Sequence, residues 1–227
     1  MSGHIVTSYD EELTGLAASL ADMGRRAGDM VDNGVSALLR ADHPLARRII
    51  AADVAVNSLQ RQVEERAIVI IARRQPMAQD LREIIAAIRI ANELERIADL
   101  GKNIARRTLA VDSRLIGRGM VDGVDDLARL GLRQFERVLA CYAARDVAAA
   151  RQVWVEDDEI DAAYGALFRD LIAAMIEDPR TITVCTHLLF CAKNIERIGD
   201  HVTNIAETVH YLVTGQPLEE HAGMPIV

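Results

Sequence analysis

Glu95-Arg96-Ile97-Ala98-Asp99-Leu100-Gly101-Lys102-Asn103-Ile104-Ala105 returns 101 residues later as Glu196-Arg197-Ile198-Gly199-Asp200-His201-Val202-Thr203-Asn204-Ile205-Ala206. Seven of the eleven positions are identical, in the pattern E-R-I-x-D-x-x-x-N-I-A. The interval is too long for a solenoid repeat and fits a duplicated small domain. A shared apolar stripe cannot account for the identical polar positions. Glu and Asp four residues apart lie on one face of a helix, so each copy sets two carboxylates side by side. That arrangement costs a few tenths of a kcal/mol in an isolated helix, and a bound cation is one way to offset it.

The apolar positions around the motif give the local structure. Ile90, Leu94, Ile97, Gly101 and Ile104 are spaced as one helical seam, and Cys191, Ile195, Ile198, Val202 and Ile205 repeat it. Outward from these two helices, the sequence predicts six long helices in two sets of three. The first starts near Ser8, where Ser8 and Glu11 form a capping box, and runs to about Arg40. Asp42-His43-Pro44 opens a second, which runs to Arg74 and has Ala67-Ile68-Val69-Ile70-Ile71 as its most buried part. Gln75-Pro76 breaks the chain before a third helix over roughly 78–110. Val111 to Gly123, with Asp112, Ser113 and three glycines, reads as the junction between halves. The fourth helix ends near Arg145, and Asp146 caps a fifth that runs to about Glu177. Asp178-Pro179 is the counterpart of Gln75-Pro76. Thr181 caps the sixth, which ends near Val213, and Gly215–Val227 reads as a tail. The expected fold is all-α: two tandem three-helix bundles related by internal duplication, over 8–111 and 115–213.

Composition narrows the function. Half of the 227 residues are hydrophobic, only 4% are aromatic, and the net charge is −8 at pH 7. Such an acidic chain is poorly suited to neutralising phosphates, so no nucleic-acid partner is expected. Cations and basic protein surfaces are better matches. Cys141, Cys185 and Cys191 form no CxxC pair and read as small core residues in a reducing compartment. No apolar run is long enough to cross a bilayer, so direct membrane insertion is not expected and the chain reads as cytoplasmic.

A second polar set precedes each motif. Asp53 and Asn57 stand in the first half. Asp157 and Asp161 stand in the second, within Glu156-Asp157-Asp158-Glu159, at an offset of 104. The change from 104 to 101 points to a longer hairpin in the first half, around Arg73-Arg74-Gln75. The middle helix of each bundle can thus bring acidic groups toward those of the third. Asp53, Asn57, Glu95 and Asp99 form one candidate metal site, and Asp157, Asp161, Glu196 and Asp200 the other. Oxygen donors without cysteine suit Mg, Ca or Mn, and iron or zinc where carboxylates bridge. The plainer reading is solvated helix charge, with Arg96 and Arg197 paired to Asp99 and Asp200. Asn103 and Asn204 are expected to hydrogen-bond to a neighbouring helix. His201 adjoins Asp200 and could ligate a metal, but the first copy has Leu100 there, so it reads as a surface histidine; Trp154 and Phe168 read as core or interface.

An enzyme alternative is a di-iron, ferritin-like carboxylate protein with a redox or storage role. That architecture uses Glu-x-x-His on each of two helices. Glu207 and His210 supply one such pair, but the counterparts in the first half are Arg106 and Leu109. There is no phosphate-cradling glycine loop and no GxSxG.

Two E-R-I-x-D-x-x-x-N-I-A copies, each late in a three-helix half, resemble the PhoU family of phosphate-signalling proteins. Arg74-Gln75-Pro76 followed by Asp80-Leu81-Arg82 is similar to that family's R-x-P-x-x-x-D-L-R segment. The resemblance covers roughly 8–213. It implies two three-helix bundles side by side in a cytoplasmic, often dimeric protein, with iron or zinc held on the bundle surface through E/DxxxD motifs. It also implies a negative regulator of the phosphate-starvation response, linking the phosphate ABC transporter ATPase to a phosphate-sensing histidine kinase. No catalytic activity is implied. Asn57 stands where a strict E/DxxxD has its second acid, which favours the second half as the metal site.

Overall fold

The computed structural model describes residues 2–111 and 118–218, and all regular structure in these residues is helical. Seven α-helices follow in order: α1 (Ser2–Arg40), α2 (His43–Arg74), α3 (Gln79–Thr108), α4 (Arg118–Ala144), α5 (Val147–Val155), α6 (Asp157–Glu177) and α7 (Ile182–Thr214). A 3-10 turn, Pro179–Thr181, precedes α7. α1, α2 and α3 pack on one another, and α4, α5, α6 and α7 form the second set. Asp112, Ser113 and Gly117 of the expected junction, and the tail beyond 218, lie outside the described residues.

The same device turns the chain after the first helix of each half. Ala41 and Arg145 take left-handed backbone, with φ of 52° and 55°. The next residue, Asp42 or Asp146, then caps the following helix by accepting from the N–H of Leu45 at 2.8 Å or of Ala149 at 2.9 Å. Both bends of each half therefore sit where the sequence puts them. The α2–α3 and α6–α7 connections are each four residues long, 75–78 and 178–181. The extra residues of the first half thus lengthen its helices, and the turn at Arg73-Arg74-Gln75 is no longer than its counterpart.

Three expectations about individual helices need correction. α1 continues N-terminally to Ser2, so Ser8 does not begin it. The fifth helix is not continuous: it breaks at Glu156, whose carbonyl accepts from the buried Gln134 side chain at 2.8 Å. The acids that follow, Asp157, Asp158 and Glu159, fill the first turn of α6, where the helix dipole favours negative charge. Thr181 makes no cap bond to α7. Its hydroxyl instead donates to the carbonyls of Asp178 and Ala174 at the end of α6.

Every seam residue is buried, from Ile90 to Ile104 on α3 and from Cys191 to Ile205 on α7. α3 and α7 also pack on each other in opposite directions. Arg89 lies over the Tyr211 ring, Glu93 meets His201, and Arg107 lies over Phe190. The core therefore does not divide at the linker. One apolar cluster joins Ile90, Leu94 and Ile97 to Ile198, Val202 and Ile205, and another joins Val35, Leu38 and Ile104 to Leu188 and Ile195. α1 and α3 lie close together at Gly101. A Cβ there would lie 3.0 Å from the Met30 carbonyl carbon and the Val31 nitrogen.

α2 is an outer helix, and this overturns the reading of its apolar run. Ala67 and Ile70 are buried, but Ile68 is 62% exposed and Val69 is 44% exposed. The run supplies both faces of a helix that has neighbours on one face only. Phe168 on α6 is likewise exposed, whereas Trp154 is half-buried and donates from Nε1 to Glu207 at 3.1 Å. All three cysteines are free and buried, as expected, and burial pushes the Cys191 thiol up to about 12.

Candidate functional site

In the first half, α2 and α3 bring together the residues that the sequence paired. Asp53 is buried and faces α3, which carries Glu95, Asp99 and Lys102. A cation of the chain's own stands among them. Lys102 Nζ donates to Asp53 Oδ2 at 2.9 Å and also pairs with Asp99. Its side chain is only 12% exposed. Burial opposes the charge on this lysine, but its bonds to Asp99 and Asp53 more than offset that, and its pKa is raised. Two amides complete the set: Asn57 donates to Asp53 Oδ2 and Asn103 to Asp99 Oδ2, each at 3.0 Å. Asn103 therefore bonds within its own helix and not to a neighbour. Burial raises the Glu95 pKa, with Asp99 and Asp53 adding to the rise and Arg96 and Lys102 opposing it.

The second half has Asp161 where the first has Asn57, so four carboxylates against three, and no central cation. Position 203 is threonine, and its hydroxyl donates to the Asp200 backbone carbonyl at 2.7 Å. Asn204 turns away to Glu93 of the first half. Among the described residues no donor reaches the side-chain oxygens of Asp157, Asp161 or Asp200. The Asp157 carboxyl is pushed up to about 6, chiefly by burial and then by Asp161, Asp200 and Glu196. Lys193 pairs with Glu196 Oε1 at 2.5 Å from a half-exposed position at the rim. Glu196 Oε2 stays buried without a partner.

Gly199 explains how Asp157 reaches this place. A Cβ on residue 199 would lie 2.8 Å from Asp157 Oδ1 and 2.9 Å from Ile160 Cδ1. The glycine leaves a recess in α7, between Glu196 and Asp200, that the Asp157 carboxylate enters. The first copy has Ala98 at this position. The break at Glu156 contributes as well, since it sets Asp157 at the very start of α6.

The donors of the second half fit a hard divalent cation. They are carboxylate oxygens, and a recess lets α6 and α7 approach; a buried oxygen without a partner occurs in each half, Asp53 Oδ1 in the first and Glu196 Oε2 in the second. No group of three or more His, Cys, Asp or Glu side chains is gathered into a ready coordination shell among the described residues. The first half fits a metal poorly, because an ammonium already lies between its carboxylates. Arg96 contacts Glu95 at 3.7 Å, and the expected i,i+3 bridges from Arg96 and Arg197 to Asp99 and Asp200 are not formed.

Sequence reasoning missed three residues here. Lys102 and Gly199 stand at varying positions of the repeat, where the two copies differ. The chain has only two lysines, 102 and 193, and both lie at a carboxylate cluster, a signal that was present in the sequence. The third is His201. It is not a free surface residue: its Nδ1 lies 2.7 Å from Glu93 Oε2, which also accepts from Asn204 at 3.1 Å. Glu207 and His210, half of a di-iron signature, are engaged separately. Glu207 accepts from Trp154, and His210 lies by the Gln216 carbonyl.

No helix among the described residues is long and apolar enough to cross a membrane. Comparison with known proteins adds to this geometry. The PhoU domain family matches twice, over residues 20–108 and 124–209. A phosphate-specific transport system accessory protein PhoU homolog of Rhizobium meliloti (strain 1021) is 52% identical over 218 residues, covering 96% of this chain and 92% of that one. A protein of the same description from Caulobacter vibrioides (strain NA1000 / CB15N) is 43% identical, covering 96% and 95%. The crystal structure of PhoU from Pseudomonas aeruginosa is 33% identical, with a TM-score of 0.87 over 92% of this chain and 100% of that one. Two matched repeats, near-complete coverage and a shared fold leave one conclusion: the chain belongs to the PhoU family.

Proposed function

We propose that this protein is an accessory regulator of a phosphate-specific transport system. It restrains the phosphate-starvation response by carrying information from the transporter ATPase to a sensor histidine kinase through contact. The observation that carries the reading is the match along nearly the whole chain to relatives described as accessory proteins of that system. The chain acts by binding and not by turnover, and the two repeats, 8–111 and 115–213, are its binding units. Linked repeats can engage two partners, or one partner twice, and so raise avidity without new contacts. A homodimer would double these surfaces again.

A divalent cation, iron or zinc in the cell, belongs to this reading at the second-half cluster. Asp157, Asp161, Glu196 and Asp200 would hold it. A bound cation would supply positive charge where Asp157 feels the charges of Asp161, Asp200 and Glu196. The recess at Gly199, and the absence among the described residues of a donor to the side-chain oxygens of Asp157, Asp161 or Asp200, support the choice of this half over the other. The experiment is capture of the tagged full-length protein from phosphate-replete cells of its own host, with metal analysis of the same sample. The transporter ATPase and the kinase should be recovered with the parent protein. Recovery of neither, with the protein folded and abundant, would contradict the proposal.

A further inference from the structure

We propose that Lys102 is the permanent counter-cation of the first carboxylate cluster, so that only the second repeat of this protein responds to divalent metal. The inference rests on the metal reading above only for its second clause.

The geometry is that of an ammonium in a cation's place. Lys102 projects from α3 between Asp53 of α2 and Asp99 of its own helix, bonding to both; Asn57 and Asn103 add a bond each to Asp53 Oδ2 and Asp99 Oδ2, and Asp53 Oδ1 stays buried without a partner. Removing an ion from water is costly, and a buried charge stripped of its partner destabilises the fold strongly. An ammonium offers three donors on a flexible stem and serves as a point charge. Once it is covalently tethered, an external ion must displace it and leave a buried lysine without a partner. The second repeat has Thr203 in this position, and its hydroxyl is turned to backbone. Its lysine, Lys193, pairs with Glu196 from the rim and lies over the Tyr164 ring.

The difference makes the duplicated fold functionally unequal. The first repeat carries its counter-charge within, one ammonium shared by Asp53 and Asp99, so its α2–α3 contact is set once the chain folds. The second repeat lacks that internal charge, and the contact between α6 and α7 depends on what ion is present. A regulator built in this way holds one rigid half and one ion-dependent half.

Exchange of the two residues tests this directly, with Mn2+ as the probe in equilibrium dialysis and thermal melting of chelator-treated protein. Lys102→Thr should lower Tm by roughly 4–8 °C without metal, given the cost of leaving buried charge unpaired. Adding Asp53→Asn to that variant should recover most of the loss. Mn2+ should stabilise the Lys102→Thr protein, and that protein should bind at least one more equivalent than the parent, lost again on Asp99→Ala. Thr203→Lys should reduce the parent's own Mn2+ binding. An unchanged Tm in Lys102→Thr would overturn the inference, as would loss of Mn2+ from the otherwise unaltered protein on Glu95→Ala/Asp99→Ala. If the parent binds no Mn2+ at all, the metal reading of the second half fails. The melting of Lys102→Thr and its repair by Asp53→Asn then still decide the role of Lys102.

Discussion

His201 Nδ1 stands 2.7 Å from Glu93 Oε2, and this contact joins the last helix of one repeat to the third helix of the other. Asn204 donates to the same oxygen at 3.1 Å. Burial pushes the Glu93 carboxyl upward, but these bonds more than offset it, and its pKa is lowered. The stabilisation is therefore fully present above the ordinary glutamate value and is lost as pH falls through the lowered one. Glu93→Gln should cost about 1–2 kcal/mol at neutral pH, a fall of roughly 2–8 °C in Tm. Thermal melts from pH 7 downward should show the gap between the two proteins narrowing in acid. Identical melts at pH 7 would mean that the contact carries no stability.

Asp157 has the opposite sign. Its carboxyl is raised to about 6 by burial and three acidic neighbours, so the folded chain holds a proton that the unfolded chain releases. Stability should fall as pH rises from about 4 to 6 and stay lower above. In chelator-treated protein at pH 7.5, Asp157→Asn should be stabilising by about 1–2 kcal/mol, the full shift being halved for solvent screening. Denaturant titration at pH 7.5 and at pH 3.5 should show that gain at the first and not at the second.

Gly199→Ala installs the residue of the first copy. The new Cβ would meet Asp157 Oδ1 at 2.8 Å and Ile160 Cδ1 at 2.9 Å, so the carboxylate must withdraw. Helical content by circular dichroism should be kept, and Mn2+ affinity should fall about tenfold, the equivalent of 1.4 kcal/mol. Unchanged affinity would remove the recess from the account.

Gly101→Val likewise installs the residue of the other copy, Val202. Here the new side chain meets backbone, with Met30 and Val31 atoms at 3.0 Å. Backbone cannot rotate aside, so α1 must move off α3. A loss of about 2–4 kcal/mol is expected in denaturant titration, at or above the usual range for overpacking.

The helices and their duplication were legible because both depend on local periodicity. The seam from Ile90 to Ile104 and its copy on α7 recur at helical spacing, and Asp42 and Asp146 announce the caps. What the sequence concealed depends on neighbours in space. Ile68 and Ala67 belong to one apolar run, and only the packing of α2 against a single layer decides which of them is exposed. The partnership of Glu93 with His201 needs α3 and α7 to run antiparallel against each other, which no periodicity reports. The break at Glu156 had a signal, four acids in a row, which a helix interior disfavours and a helix start accepts. The candidate site was half legible for a different reason. The identical positions of the repeat named its carboxylates, but the differing ones, Lys102 against Thr203 and Ala98 against Gly199, set the charge and space around them.

The central claim is that the protein restrains the phosphate-starvation response when phosphate is plentiful. The most direct measurement is the activity of a phosphate-starvation promoter in a strain lacking this gene, grown in abundant phosphate and compared with the same strain carrying the gene again. The account predicts that the promoter stays on without the gene and is silenced when it is restored. A deletion strain that silences the promoter as fully as its parent would contradict it.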